Sequence, residues 1–205
     1  MRERKIFRSA MVWGIPLILL WGILSCSGRE TPYVYQGIYQ MVDPTHDYSK
    51  QYTDQAITIQ FSIREKRIFF DLRNKTDESI LVIWNEALFY DLSGKSQRLI
   101  NARHMFTENI TILEPTLISP HTLIRESMVP EDRMVLLEEW TWYLKPLFDF
   151  VTEGAEELKG KTFVLKIPME VKRYPRVYSF TFEIAHVIVK ERKVAPEIPI
   201  KRRKF

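Results

Sequence analysis

The stretch Ile57-Thr58-Ile59-Gln60-Phe61-Ser62-Ile63 (residues 57–63) sets an apolar side chain at every odd position and a polar one at every even position. A period of two is the mark of a strand with one face in a core and the other in water. Arg64-Glu65-Lys66 then turns the chain, and Arg67 to Arg73 returns as a second strand. Beyond the polar turn Asn74 to Glu78, the unbroken apolar run Ile80-Leu81-Val82-Ile83-Trp84 suits a strand covered on both faces. Leu88 to Leu92 and Gln97 to Asn101 read as a hairpin around Ser93-Gly94-Lys95. Ile110 to Leu113 and Leu123 to Met128 read as strands separated by Pro115 and Pro120. Met134 to Trp142 lacks Gly and Pro and follows Pro130-Glu131-Asp132, so one short helical connection is expected there. Gly154 to Lys161 is a charged loop or helical turn, and Thr162 to Ile167 and Val177 to Val189 close the fold as strands. Seven to nine short strands joined by turns predict an all-β, antiparallel β-sandwich, because an α/β design needs helices between its strands.

The predicted sandwich spans residues 57–189. Before it, residues 26–56 are rich in Tyr, Gln, Thr, Asp and Pro and read as an attachment site and tether running into an irregular or edge-strand segment. After it, residues 190–205 read as a charged, Pro-containing, disordered tail. No internal repeat is visible.

Charge divides sharply along the chain. Residues 1–25 carry four Arg/Lys and one Glu, and residues 190–205 carry seven Arg/Lys and two Glu. The body, 26–189, carries nineteen Arg/Lys against twenty-three Asp/Glu and is mildly acidic. The formal charge of +4 therefore belongs to the two ends. A nucleic-acid-binding domain needs its positive charge on the folded surface, so that class is set aside.

Arg2, Arg4, Lys5 and Arg8 form a positive n-region, and Ala10 to Leu24 an apolar segment of signal-peptide length. The next residues, Ile23-Leu24-Ser25-Cys26, resemble the lipobox of bacterial lipoproteins: an aliphatic residue, a tolerant position, a small residue, then cysteine. The resemblance implies a signal peptide of residues 1–25, cleavage between Ser25 and Cys26, and diacylglycerol on the Cys26 thiol with acylation of the new amine. Two or three acyl chains hold a protein stably on a bilayer, where one does not. Cys26 is the single cysteine, so no intramolecular disulfide or cysteine metal site is available. A transmembrane anchor competes with this reading, since Ser9 to Gly28 are twenty consecutive uncharged residues. Against it stand Gly14, Pro16 and Gly22, which interrupt the segment. In both readings the positive N-terminus stays cytoplasmic and the domain is exported. Ser27, where an Asp would favour inner-membrane retention, points to the outer membrane if the organism has two.

A second resemblance rests on Asn74-x-Thr76, Ile83-Trp84-Asn85, Gly94-Lys95-Ser96 and Ile118-Ser119-Pro120. These short motifs resemble bacterial lipoproteins of uncharacterised function with an immunoglobulin-like sandwich. They are strand ends and turns covering about a quarter of the mature chain, and they imply a fold without implying an activity.

Chemistry-bearing patterns are sparse. Gly154 and Gly160, ahead of Lys161-Thr162, are separated by five residues where a phosphate loop has four, and Glu156-Glu157 would repel phosphate. Gly94-Lys95-Ser96 lacks the upstream glycine. His46, His104, His121 and His186 show no ligand spacing, and His186 shares a strand face with Phe180, Phe182 and Ile184, where a core or rim position is expected. Nucleophile-elbow motifs are absent, and the adjacent pairs Glu138-Glu139 and Glu156-Glu157 diverge on any regular element. No metal and no cofactor is called for.

Two features remain as binding candidates. Trp140, Trp142, Tyr143 and Phe148 either cap the open end of the sandwich or present an aromatic partner surface. Lys201-Arg202-Arg203-Lys204 is either a solvated tail or a site for anionic lipid or cell-wall polymer. The expectation is a lipid-anchored, non-catalytic binding or assembly component with a membrane contact through Cys26 and an envelope protein partner. A carrier of an apolar ligand between the sheets is the alternative, and an envelope hydrolase a third.

Overall fold

The computed structural model describes residues 33–104, 112–136, 142–150 and 153–191. In chain order the strands are β1 (Tyr33–Asp43), β2 (Gln51–Thr53), β3 (Ile57–Ile63), β4 (Ile68–Asn74), β5 (Ile80–Val82), β6 (Leu88–Tyr90) and β7 (Ser96–Asn101). There follow β8 (Thr116–Ile118), β9 (Leu123–Pro130), β10 (Met134–Leu136), β11 (Trp142–Leu144), β12 (Thr162–Val171) and β13 (Tyr174–Glu191). Every pairing is antiparallel. Eleven strands form one sheet whose path runs β1-β13-β12-β6-β7-β9-β4-β3-β2, with β5 and β8 branching from β12. The two ends of that path are consecutive in the chain, so the sheet curls almost into a barrel.

The alternation at residues 57–63 appears as burial: Ile57, Ile59 and Phe61 are buried while Gln60 and Ser62 are exposed. Strand β4 mirrors it with Ile68, Phe70 and Leu72, and its register against β3 sets Ile63 opposite Ile68. The turn between them closes through the Arg64 amide donating to the Arg67 carbonyl at 2.9 Å. In β12, Phe163, Leu165, Ile167, Met169 and Val171 are the inward set, and in β13 Phe180, Phe182 and Ile184 meet them. Across the interior, the Phe61 ring lies 4.8 Å from Phe180 and 5.2 Å from Phe182, both edge-on. Burying one such ring stabilises by about 2–3 kcal/mol, and edge-to-face pairing adds about 1 kcal/mol. The halves are joined by β7, whose start pairs with β6 and whose end, Leu99 to Asn101, pairs with β9.

Several expectations are revised. Met134 to Trp142 is not helical at its described ends: β10 and β11 pair as a two-stranded sheet, Met134 opposite Leu144 and Leu136 opposite Trp142. Val135, Trp142 and Tyr143 are strand formers, and cross-strand pairing overrides the absence of Gly and Pro. The sheet also starts earlier than residue 57. Strand β1, an edge of the sheet, lies in the segment read as a tether running into an irregular or edge-strand segment, and it pairs along β13 from Tyr33–Glu191 to Asp43–Thr181. Its tyrosines and few aliphatics, Val34, Ile38 and Val42, give no clear alternation of apolar and polar residues, which hid it. The strand expected at Ile110 to Leu113 is not seen at Ile112 and Leu113, and Thr116–Ile118 instead pairs with β5. The described residues hold thirteen strands, since the long hairpins recruit short flanking ones.

Asn74, at the end of β4, is fully buried and saturates its carboxamide. Its nitrogen donates to the carbonyls of Glu78 (2.7 Å), Ile118 (3.1 Å) and Ser119 (3.1 Å). Its oxygen accepts from the Thr76 amide and hydroxyl, both at 2.8 Å. One side chain thus fixes the 74–78 turn to the end of β8. Beside it the fully buried Trp84 indole donates to the Thr116 hydroxyl at 2.9 Å. Asn74→Ala strands these buried groups without partners, and urea unfolding is expected to show a loss of about 2–4 kcal/mol. Gln60→Ala, on the exposed face of β3, is expected to stay within about 0.5 kcal/mol of the parent.

Candidate functional site: the barrel seam

The curling sheet does not close. Among the described residues no ladder joins its edge strands β1 and β2, and the loop between them folds back onto β1, where the amides of Met41 and Asp47 donate to each other's carbonyls at 2.9 Å. Strand β2 is three residues long and covers only the first half of β3. The first half of β1 and the end of β3 therefore share a gap, and residues 145–150 lie over it. The Lys145 amide donates to the Arg133 carbonyl (2.8 Å) and the Leu147 amide to the Glu65 carbonyl (2.7 Å), pinning this segment. Leu147, Phe148 and Phe150 are buried there. Phe148 packs 5.0 Å from Phe163 and 5.9 Å from Tyr39.

Gly37 is shaped for Phe150. A β-carbon at position 37 would stand 2.5 Å from Phe150 Cζ, inside van der Waals contact, so only glycine lets that ring approach β1. Beside the rings a cavity of about 320 Å³ remains, walled by Tyr35, Gly37 and Tyr39 of β1, by Ile63, Arg64 and Glu65, and by Pro146, Phe148 and Phe150. That is the lower end of the range for small-ligand pockets, which run from about 300 to 1,000 Å³. Burial pushes the Tyr39 phenol well above the usual tyrosine range, so its hydroxyl stays protonated. The lining offers flat aromatic surface, the phenols of Tyr35 and Tyr39, and a cation and an anion from Arg64 and Glu65. Flat apolar surface with a few polar groups at its margin is the chemistry by which small-molecule recesses are lined.

The residues singled out in the sequence scatter. Cys26, Ser25, Trp140 and Lys201 to Lys204 lie outside the described residues. Trp142 is half-buried on β11, and Tyr143 is exposed with the Lys66 ammonium 4.9 Å above its ring. Of the two alternatives for Phe148, cap or partner surface, its burial agrees with the cap, because the segment carrying it folds over the seam. His186 is exposed, not core: a register shift between Ile38 and Tyr39 on β1 breaks the alternation opposite it. Its imidazole stacks on Tyr48, ring centres 6.5 Å apart. His121 meets Asp77 at 2.8 Å on the surface. Among the described residues no three His, Cys, Asp or Glu side chains gather as a metal site. The Gly160 amide donates to the Ile184 carbonyl at 2.8 Å, tying the 154–161 loop to β13.

A polar cluster at Asp54 went unnoticed in the sequence. The Tyr178 hydroxyl donates to Asp54 Oδ2 at 3.1 Å, and burial, with the nearby Asp54 charge, pushes that phenol up to about 12. Asp54 Oδ1 accepts from the amides of Ala56 and Ile57, both at 2.7 Å, so the carboxylate is committed to shaping the turn before β3. The seam itself carried one faint signal, the spacing Tyr35-x-Gly37-x-Tyr39. No helix among the described residues is long and apolar enough to cross a membrane. Compared with protein-family models, curated proteins and solved structures, the chain matches none of them.

Proposed function

We propose that this protein is a lipid-anchored component of a bacterial cell envelope, exported by residues 1–25, held by acyl chains on Cys26, and working as a non-catalytic binding or assembly component. The observation that carries the binding half is the seam cavity, an aromatic recess beside Gly37 that the packed interior does not fill. The address half rests on the lipobox-like run ending at Cys26 and on the positive residues before it. Ser27 favours the outer membrane where there are two. Tethering confines the domain to a surface and raises its effective concentration near partners there. The finer architecture belongs to the same proposal. An immunoglobulin-like sandwich is supported by the facing layers that bring Phe61 onto Phe180 and Phe182, while the shared strand β7 is its main departure.

A second reading, a carrier for an apolar ligand or lipid, is favoured by the same cavity, because its walls are mostly aromatic and aliphatic. Its 320 Å³ suits a single ring system or a short acyl segment rather than a whole lipid.

Expressed in a bacterium, the full chain is expected to begin at Cys26 by intact mass, to carry added acyl mass, and to partition with membranes. Cys26→Ala is expected to lose the acyl mass and keep residues 1–25. A parent protein that keeps residues 1–25, with both versions in the membrane, identifies a transmembrane anchor and rejects the lipid reading. The carrier reading is checked with N-phenyl-1-naphthylamine: saturable fluorescence enhancement is expected, and Ile63→Trp, which fills the recess, is expected to abolish it while circular dichroism is unchanged. Equal uptake by both proteins removes the cavity from the account.

A further inference from the structure

Two tyrosines of the interior, Tyr39 and Tyr178, are each 8 % exposed, and the fold treats their hydroxyls differently. Tyr178 donates to Asp54 Oδ2 at 3.1 Å. The Tyr39 hydroxyl has no hydrogen-bond partner among the described residues. It is not sealed from outside either: the oxygen keeps accessible surface, and Tyr39 lines the seam cavity. A β-carbon at position 37 would stand 3.1 Å from that oxygen, so the hydroxyl lies over the bare backbone of Gly37, beside Phe150. Burial raises this phenol and keeps its proton, which makes it a neutral donor. A buried donor without a partner is costly, and a phenylalanine would pack the same rings without that cost.

The rest of the recess limits what can serve the donor. Phe148 and Phe150 stand 6.3 Å apart at 79°, and Phe148 lies 5.9 Å from Tyr39, so a flat ring entering there meets both faces and edges. A cavity of about 150 Å³ takes one benzene ring, so 320 Å³ has room for two fused rings. The charged groups stay at the rim. Arg64 and Glu65 are exposed, and the Arg64 guanidinium lies 5.2 Å over Phe69 on the outer face of β4. A carboxylate brought to Tyr39 would therefore lose its water without gaining a cation.

We propose that the seam recess binds a neutral aromatic compound that carries a carbonyl oxygen, with the Tyr39 hydroxyl donating to that oxygen. This rests on the carrier reading of the cavity and narrows its ligand. A plain acyl segment fills the space but leaves the donor unserved, whereas a ring carbonyl satisfies rings and hydroxyl together.

The test is equilibrium dialysis of the full chain in detergent with three probes on one ring system: naphthalene, 1-acetylnaphthalene and 1-naphthoate. Uptake by Ile63→Trp, whose added ring fills the recess, is subtracted throughout, so partition into micelles cancels. Tyr39→Phe is expected to weaken 1-acetylnaphthalene about three- to tenfold and to leave naphthalene within about 1.5-fold. At pH 7 the parent is expected to hold 1-naphthoate at least about tenfold more weakly than 1-acetylnaphthalene. Tyr39→Phe is also expected to keep the parent's urea midpoint, because its hydroxyl serves no protein group. Weakening of both neutral probes alike, or of neither, overturns the proposal, as does tighter binding of 1-naphthoate. A lowered urea midpoint in Tyr39→Phe overturns it too, by showing that the hydroxyl serves the fold. No uptake of any probe above Ile63→Trp rejects the carrier reading itself, and the proposal with it.

Discussion

The mutual hydrogen bonds between Met41 and Asp47 fold the loop between the two edge strands of an eleven-stranded sheet back onto β1. An antiparallel sheet with a strongly apolar face must curl or stack to bury it, and its edge strands must then be paired or covered. Here the edges are β1 and β2, consecutive in the chain, and β2 is too short to span the gap. The rest follows from that shortfall. Residues 145–150 cover the opening with Leu147, Phe148 and Phe150, and Gly37 supplies the space that Phe150 requires. What the covering segment does not fill is the cavity beside Tyr39.

Around this seam the scaffold is over-determined. The interior is a continuous set of rings: Phe61 meets Phe180 and Phe182, Phe182 meets Phe163, Phe163 meets Phe148 and Phe148 meets Phe89, at 4.8 to 6.5 Å. Polar stitches hold its margins: Asn74 at the end of β8, Trp84 on Thr116, and Asp54 on Tyr178. Every buried polar group in these stitches has a partner, which helps hold the sheet in one register.

Fold class was legible in the sequence, because burial on one face imposes a period of two and β3, β4 and β13 obey it closely. The hairpin from β6 to β7 was legible from Asp91 to Lys95, where Asp91 Oδ1 accepts from the amides of Ser93 and Lys95 at 2.9 and 3.0 Å and Gly94 takes φ of 82°. Less visible were elements whose conformation is decided by partners. Strand β1 is rich in tyrosine and owes its place to β13, and Met134–Leu136 gains strand geometry from Trp142–Leu144. The cavity was illegible for the same reason: its walls come from three segments brought together by the failure of two edges to meet. Phe148 shows the limit of reading locally, since the run left a cap and a partner surface both open and only burial beneath the fold decides for the cap at that residue. His186 shows the effect of a bulge, which no periodicity count foresees.

Amide hydrogen exchange, followed residue by residue in the parent and in Phe150→Ala, tests most directly whether residues 145–150 hold the seam. The account predicts that the substitution speeds exchange selectively in residues 33–41 and 145–150, while β4 and β9, paired on both sides or far from the opening, keep their protection. A uniform loss of protection across the sheet, or no change along β1, would contradict it: the first would make Phe150 an ordinary core residue, the second would mean β1 needs no cover.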